Sequence, residues 1–365
     1  MKKICFLTSS HPRFEPRIFQ KMCLSTEESY DTSLVVSDSK GFEIFSKVRI
    51  YDVGKIKNKF FKMIVVPYLM LIKVKKIKPN IVHFHDPELL LIAPILKLLG
   101  FKVIYDCHEN YDLQIETRQW IPNIFKPLIK IFYLSVEKLT FPFIDKIIFP
   151  QPAMIERYKN YSEKTQVISN FPEESYLKNI NLNKKVNKKV IYTGGISEER
   201  GIFNILSLVE HMPDYEFTIA GYVEPNLLRV LKKNKIWNRI NYFEFITDSK
   251  SLQKLYSSHS FGLILFNNVG QYYMSYSLKL FEYMANGLTV IMPNFGNWKS
   301  FNETYKVGLS VEVTNSLNIA QRINKLTEDD MLHFRLNNNK LVNKVFNWET
   351  QKKLLLTLYK KMLDD

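Results

Sequence analysis

The stretch Ser277-Leu-Lys-Leu-Phe-Glu282-Tyr-Met-Ala-Asn-Gly287-Leu-Thr-Val-Ile291 reads as a helix followed at once by a buried strand. Helical spacing puts Leu278, Glu282 and Ala285 on one stripe. That stripe is otherwise apolar, so Glu282 is expected to face the interior. A carboxylate there needs hydrogen-bond donors or costs several kcal/mol, on the order of 2–7. The helix start, from Ser275 to Ser277, offers free backbone N–H groups and a positive dipole end. A glutamate side chain leans back toward that end. An anion site and a hydroxyl acceptor therefore lie within one or two turns of each other. A nucleotide has that shape: phosphates joined to a ribose with two hydroxyls. The competing reading, a glutamate on a solvated helix face, conflicts with its apolar neighbours.

Working outward, strand and helix patterns alternate almost throughout, which implies parallel sheets with helices on both faces. Strands are expected at 3–8, 32–36, 81–85, 102–105, 146–149 and 166–168, with a helix from about Pro16. The segment 87–99 reads as a helix with Asp86 as N-cap, Pro87 at its first position and Gly100 as its stop. A second series has strands at 190–193, 216–220, 241–245, 261–266 and 288–292. Its helices are expected near 203–211, 225–233, 252–257, 276–286 and 317–326. An Asn/Lys-rich segment with little apolar content precedes that series. The expected division is a first domain at 1–177, a linker at 178–189, a second domain at 190–346 and a closing helical segment at 347–365. Two similar halves fit two doubly wound domains, in which ligands bind outside the carboxyl ends of the strands. Facing domains would put that site in a cleft.

With 365 residues, 46% hydrophobic and 14% aromatic, the chain has material for two cores. The 12 glycines and 15 prolines argue against disorder. Cys5, Cys23 and Cys107 have no paired or metal-type spacing, which fits a reducing, cytoplasmic setting. Residues 1–20 mix charges around a short apolar strand, so no signal peptide is expected. No apolar run reaches the ~18–20 residues that span a bilayer.

The net charge of +15 calls for an anionic partner. Between Lys55 and Lys78 stand eight lysines and no acidic residue, interleaved with Phe60, Phe61, Ile64, Tyr68 and Leu71 around Pro67. A second such segment, 121–149, sets Phe125, Phe132, Tyr133, Phe141 and Phe143 among Lys126, Lys130 and Lys138. Both fit an anionic membrane surface; the alternative is a pair of core helices with lysine-covered outer faces. Nucleic acid is not expected, because no zinc pattern, RNA-binding aromatic motif or arginine cluster is visible.

Four turns carry candidate chemistry. The strand at 190–193 runs into Gly194-Gly195-Ile-Ser-Glu-Glu-Arg200-Gly201. Glycines let backbone approach a phosphate, and Arg200 has a fork that matches phosphate oxygens. Ser9-Ser-His11-Pro-Arg13-Phe-Glu15-Pro-Arg17 follows the first strand. There Arg17 either meets an anion or pairs with Glu15. His83-Phe-His85-Asp86 closes another strand, and period-2 spacing puts both histidines on one face. A metal site is conceivable there, but no third ligand has a defined spacing. Tyr105-Asp106-Cys107-His108-Glu109-Asn110 closes a third, with His108 between two acids.

Glu282, Ala285, Gly287 and Thr289-Val-Ile291 resemble the signature of the family-four glycosyltransferases, which use nucleotide sugars and have the GT-B fold. The resemblance runs from the first loop to the last helix. It implies α/β architecture with two Rossmann-like domains, the first on the acceptor side and the second binding the nucleotide sugar. It also implies a final helix, entered at Trp348-Glu349, that crosses back to the first domain. In that family Glu282 would hold the donor ribose, with Ser277, Leu278 and Lys279 at the helix start, and Ile246 would lie near the base. Arg200 matches the second of two basic residues on the diphosphate. Gly195 stands where the first would be, and Lys279 is the candidate replacement. Arg17 resembles a subgroup's arginine for the diphosphate or an anionic acceptor, so His11, Arg13 and Arg17 would line the cleft with Glu109. His85 and Asp86 match an acceptor-side turn, and His108 a histidine that approaches the donor sugar. Met274 replaces the first of the family's two glutamates, which helps position the sugar. A second departure lies at Phe245-Ile246-Thr247, where a glycine is common. No D-x-D metal motif is present.

The expected activity is a metal-independent, retaining transfer from a UDP- or GDP-type sugar. The acceptor would be a glycan or lipid-linked glycan of a bacterial surface polysaccharide (O-antigen or capsule), met at the inner face of the membrane. His108, Arg200 and Glu282 would carry the catalysis. The rivals are a nucleotide-sugar epimerase of the same fold and a non-catalytic nucleotide-sugar-binding partner subunit.

Overall fold

The computed structural model describes residues 1–108, 110–117, 121–173, 185–244, 246 and 249–364. The chain forms two compact units, Met1–Asn170 with Trp348–Asp365, and Phe171–Asn347.

The first unit is built on β1 (Lys3–Leu7), β2 (Asp31–Val36), β3 (Glu43–Phe45), β4 (Val48–Asp52), β5 (Ile81–Phe84), β6 (Lys102–Asp106), β7 (Lys146–Phe149) and β8 (Thr165–Val167). Their order across the sheet is β3-β4-β2-β1-β5-β6-β7-β8, and all neighbours are parallel except β3 and β4. Both faces are covered, so these strands are apolar on both sides rather than alternating. Cys5, Leu7, Val82, Phe84 and Tyr105 pack on one face with Val66, Met70 and Val74 of the helix Lys59–Ile77. Ile4, Phe6, Ile81 and Ile104 pack on the other, with Ile18 and Phe19 and with the final helix Trp348–Asp364. β1 has β2 on one side and β5 on the other, so the winding reverses between β1 and β5. The carboxyl ends of such a pair are the usual ligand position in doubly wound sheets.

The second unit contains β9 (Lys189–Thr193), β10 (Glu216–Ala220), β11 (Ile240–Phe243), β12 (Phe261–Leu263), β13 (Thr289–Pro293) and β14 (Gly308–Val311). The order β11-β10-β9-β12-β13-β14 is parallel throughout, and its switch point falls between β9 and β12.

Several elements differ from expectation. The helix entered at Pro16 is a π-helix, Pro16–Cys23, whose first turn is capped when Ile18 N donates to Glu15 Oε2 at 2.6 Å. The expected helix 87–99 begins as a 3-10 segment, Pro87–Ile92, and becomes α-helical only at Ala93–Leu98. Asp86 does not cap it with its side chain, because that carboxylate is taken by the loop after β1. The lysine-rich segment forms one helix through Pro67. β12 is half as long as expected, and β3, β4 and β14 were not anticipated. Phe171 already belongs to the second unit, where its ring lies 4.7 Å from Phe281 and 5.3 Å from Phe346, so the first unit ends at Asn170 rather than 177. Of the expected linker, 178–184 lie outside the described residues, and Lys189 opens β9.

The final helix is tied into the first unit by polar contacts as well as packing. Trp348 Nε1 donates to Ser25 Oγ at 2.9 Å, and Ser169 N donates to Gln351 Oε1 at 2.8 Å. Tyr359 OH lies 2.6 Å from His83 Nδ1. Trp348 is 3% exposed and opens the helix. Trp348→Ala is expected to cost the first unit about 3–5 kcal/mol. The check is urea unfolding: a lower midpoint for the transition that includes the first unit.

Candidate functional site

The turn after β9 is shaped by two cations. Gly194 has φ +101, and a Cβ there would lie 2.6 Å from Lys279 Nζ. A Cβ on Gly195 would lie 2.8 Å from Arg200 Nη1. The positive φ is the physical reason for glycine at 194, whereas a side chain at 195 would displace the end of Arg200. Lys279 comes from the other direction, on the first turn of the helix Leu278–Ala285, with Ser277 as N-cap. It is buried, with Nζ 5.1 Å from the Tyr192 ring centroid, 5.4 Å from that of Phe266, and 3.5 Å from Ser277 Oγ. Arg200 Nε donates to Tyr272 OH at 3.0 Å, and its Nη1 donates to Gly195 O at 3.3 Å. Burial first, and the Arg200 charge second, push the Lys279 ammonium down to about 7; Glu282 opposes them and does not win.

Glu282 lies one turn further along the same helix and is half-buried. Its Oε2 accepts from Tyr256 OH at 2.9 Å, and Tyr256 OH lies 2.8 Å from Thr193 Oγ1 at the end of β9. Cations, helix start and carboxylate thus gather at the β9/β12 switch point. Met274 is half-buried in the preceding loop, where Asn297 Nδ2 donates to its carbonyl at 2.7 Å. Trp298 Nε1 donates to Tyr272 O at 2.8 Å, which fixes the same loop. Ile246 is half-buried, and its neighbours 245, 247 and 248 lie outside the described residues.

The first unit has its own cluster at the ends of β1, β5 and β6. Asp86 is buried; its Oδ2 accepts from Thr8 Oγ1 at 2.8 Å and from Ser9 N at 2.7 Å, and its Oδ1 lies 3.0 Å from His11 Nδ1. Burial raises this carboxyl, but His11, Thr8 and Ser9 outweigh burial and hold it at about 2. Asp106 is wholly buried at the end of β6, and its Oδ2 lies 2.9 Å from His108 Nε2 and 3.2 Å from His85 Nδ1. The rings of His11 and His108 are 5.5 Å apart, so two carboxylate-anchored imidazoles face each other. Burial lowers His85 to about 4, so it is neutral at pH 7.

Two arginines expected to face a ligand are committed elsewhere. Arg13 is 4% exposed; Nε and Nη2 donate to Asp38 at 2.8 Å each, and Nη1 donates to Glu43 at 2.5 Å. Arg17 pairs with Asp106 rather than Glu15, through Nε at 2.9 Å and Nη2 at 2.8 Å, and also donates to Ile168 O at 2.8 Å. Both guanidiniums are neutralised where they are buried, so they hold the fold and leave no net charge for an anion. Glu109 lies outside the described residues.

Donor atoms of His83, His85 and Asp106 lie within 4.8 Å of one another. Asp106 there already carries the Arg17 ion pair, which weakens what it could offer a cation. Tyr256, Tyr272, Thr8 and Asp106 complete the two clusters and were not singled out from the sequence. Only Asp106, two residues before His108 at a strand end, carried any signal there.

The two units, each doubly wound around a parallel sheet, define the GT-B class of nucleotide-sugar enzymes. Residues 173–341 match the family model of glycosyl transferases group 1, and residues 27–173 match that of glycosyltransferase family 4. The chain is a glycosyltransferase of the GT-B fold. Among solved structures it is similar to sucrose-phosphate synthase from Thermosynechococcus elongatus, with TM-score 0.80, 15% identity and 100% of both chains covered. It is also similar to a glycosyltransferase from Rickettsia africae, with TM-score 0.72, 16% identity, and 100% of this chain and 99% of that one covered. A third is HepE from Anabaena in complex with UDP and glucose, with TM-score 0.72, 13% identity, and 99% of this chain and 100% of that one covered. No curated protein sequence matches the chain.

Lys279 links the site to stability. Its folded-state value of about 7 lies below the ordinary 10.5, so the unfolded chain binds a proton that the folded chain refuses between those values. The penalty is complete below pH 7 and disappears as pH rises through that window. Lys279→Met removes it at every pH. The variant should therefore raise Tm more at pH 6 than at pH 9, a difference that calorimetric scans at the two values measure directly.

Proposed function

We propose that this glycosyltransferase moves a sugar from a UDP- or GDP-type donor to a hydroxyl of a glycan or lipid-linked glycan, with retention of anomeric configuration and without a metal. The observation that carries the reading is the meeting of Arg200, Lys279 and Glu282 at one glycine turn. Two cations suit a diphosphate, and a carboxylate one turn away suits ribose hydroxyls. Gly194 and Gly195 give the phosphates access to backbone, Ser277 and Leu278 offer helix-start N–H groups, and Ile246 lies toward the base. The charge that grows on the departing diphosphate is met by Arg200 and Lys279. His108 approaches the donor sugar and His11 the acceptor, while His85 and Asp86, expected on the acceptor side, are buried behind them and hold them in place. The complex of HepE with UDP-glucose, on the same fold, supports the donor class.

We place the acceptor in bacterial surface polysaccharide, O-antigen or capsule. The enzyme is then peripheral at the cytoplasmic face of an anionic membrane. The net charge of +15 supports this part, and no helix of the described residues is long and apolar enough to cross a membrane.

Calorimetry with UDP and GDP tests the donor reading. Glu282→Ala should weaken the preferred nucleotide roughly ten- to a hundredfold, the value of a hydrogen bond to a charged acceptor. Affinity in the wild type should fall as pH rises from 7 to 9, because the diphosphate selects the ammonium form of Lys279. Lys279→Met should flatten that dependence. Binding of neither nucleotide would overturn the donor reading. Turnover in EDTA should equal turnover with added magnesium or manganese; a requirement for either ion would overturn the metal-free part.

A further inference from the structure

The helix Lys126–Thr140 is turned inside out. Its inward face is polar: Glu137 is 5% exposed, and its carboxylate accepts from Tyr133 OH, from Tyr158 OH at 2.8 Å and from Arg157 Nη2 at 3.0 Å. Its outward face is apolar, with Leu128 65%, Ile131 63%, Phe132 61% and Leu139 71% exposed, and with Ile124, just before it, 81% exposed. These positions recur at three- and four-residue steps and make one stripe. The 3-10 segment Pro87–Ile92 packs against this helix and against Lys59–Ile77, where Phe61 and Ile64 are also exposed. Such apolar area on one side of a unit marks a docking surface.

We infer that this stripe enters an anionic lipid bilayer, with the helix lying in the headgroup boundary. Charge decides between lipid and protein. Lys138 flanks the stripe, whereas Lys126 and Lys130 lie on the inward side and hold Glu116; the exposed face carries no acid, since the acids between 121 and 149 are only Glu137 and Asp145. Glu137 is buried, and Asp145 pairs with Lys97 at 2.5 Å. Protein interfaces deplete lysine from their cores, whereas lysine stems beside a bilayer lie along apolar surface and carry their charge to the headgroups. The inference rests on the membrane part of the proposed function and changes its chemistry. Lys62 and Lys73 of the basic segment are engaged within the unit, Lys62 with Ser10 at 3.0 Å and Lys73 over the Tyr51 ring at 5.1 Å. Apolar insertion by Lys126–Thr140 does the holding, and lysines steer the approach.

The experiment is flotation of the full chain with vesicles of phosphatidylcholine alone or mixed with phosphatidylglycerol, at low and high salt. The wild type should float with the anionic vesicles, and a fraction should stay bound at high salt, because screening weakens charge attraction and not apolar burial. Replacing Leu128, Ile131 and Phe132 together by Ser should lower partitioning roughly a hundredfold or more. Its Tm should not change, since all three are exposed. Replacing Lys55, Lys57, Lys75 and Lys76 by Gln should slow association and leave salt-resistant binding within about threefold. Three outcomes overturn the inference: no flotation of the wild type, unchanged flotation of the Ser variant, or a wild-type dimer in light scattering that the Ser variant abolishes. Absence of flotation with intact nucleotide binding defeats this inference alone. A chain that floats and binds no nucleotide defeats the donor reading alone.

Discussion

Two like charges held at one turn are the constraint around which the second unit is arranged. Arg200 and Lys279 both reach the Gly194–Gly195 turn, and each charge raises the cost of the other. The surroundings offset that cost without cancelling the charge. Tyr192 and Phe266 present ring faces to the ammonium, an attraction of about 0.5–2 kcal/mol. Tyr272 and the Gly195 carbonyl accept from the guanidinium. The Tyr272 loop is in turn fixed by Trp298, and close backbone contact between Tyr273 and Gly296 requires that glycine, since a Cβ would lie 2.1 Å from Tyr273 O. A site that stores unbalanced positive charge is destabilising when empty and gains when an anion arrives.

The first unit solves the opposite problem. Its buried arginines are each met by at least one carboxylate. Asp106 is opposed by Arg17, and Arg13 by Asp38 and Glu43. Burial raises the Asp106 carboxyl, but the Arg17 charge and His108 hold it well below the carboxylate range. Breaking such a pair costs more than the pair contributes, because the remaining charge stays buried. What this unit exposes at its strand ends is therefore not net charge but oriented imidazole. The carboxylate behind each ring selects which nitrogen faces outward: His11 gives Nδ1 to Asp86, and His108 gives Nε2 to Asp106. One unit gathers cations at its strand ends and the other gathers imidazoles, the contrast on which the proposed diphosphate and hydroxyl sites rest.

The parts of this arrangement that were legible in the sequence are the local ones. The helix that carries Lys279 and Glu282 was legible from its apolar spacing, although Glu282, expected in the interior, is half-buried and Lys279 is the more buried of the two. Period-2 alternation placed His83 and His85 on one face, where their rings are 4.8 Å apart. The partners were not legible. Arg17 meets Asp106 across 89 residues and Ile168 across 151, and nothing in the spacing near Arg17 distinguishes that pairing from one with Glu15. Tyr256 reaches Glu282 from another helix and carries no motif. The β12 strand reads longer than it is, because Ile264, Leu265 and Phe266 stay buried after the ladder ends. An apolar run reports burial, and burial outlasts hydrogen-bonded strand.

The same limit explains the helix Lys126–Thr140. An apolar stripe at helical spacing has the same pattern whether it faces a core or a bilayer, and only the packing tells which. Here the inward face is settled by Arg157, which joins Glu137 to Asp112. Burial raises the Glu137 carboxyl despite that arginine, so the network is costly to bury and does not exist to stabilise the helix cheaply. It does give the helix one fixed orientation. It also connects that helix to Tyr111–Thr117, which carries Asp112 four residues after His108. The helix with the exposed apolar stripe and the segment that follows His108 thus share one buried ion-pair network.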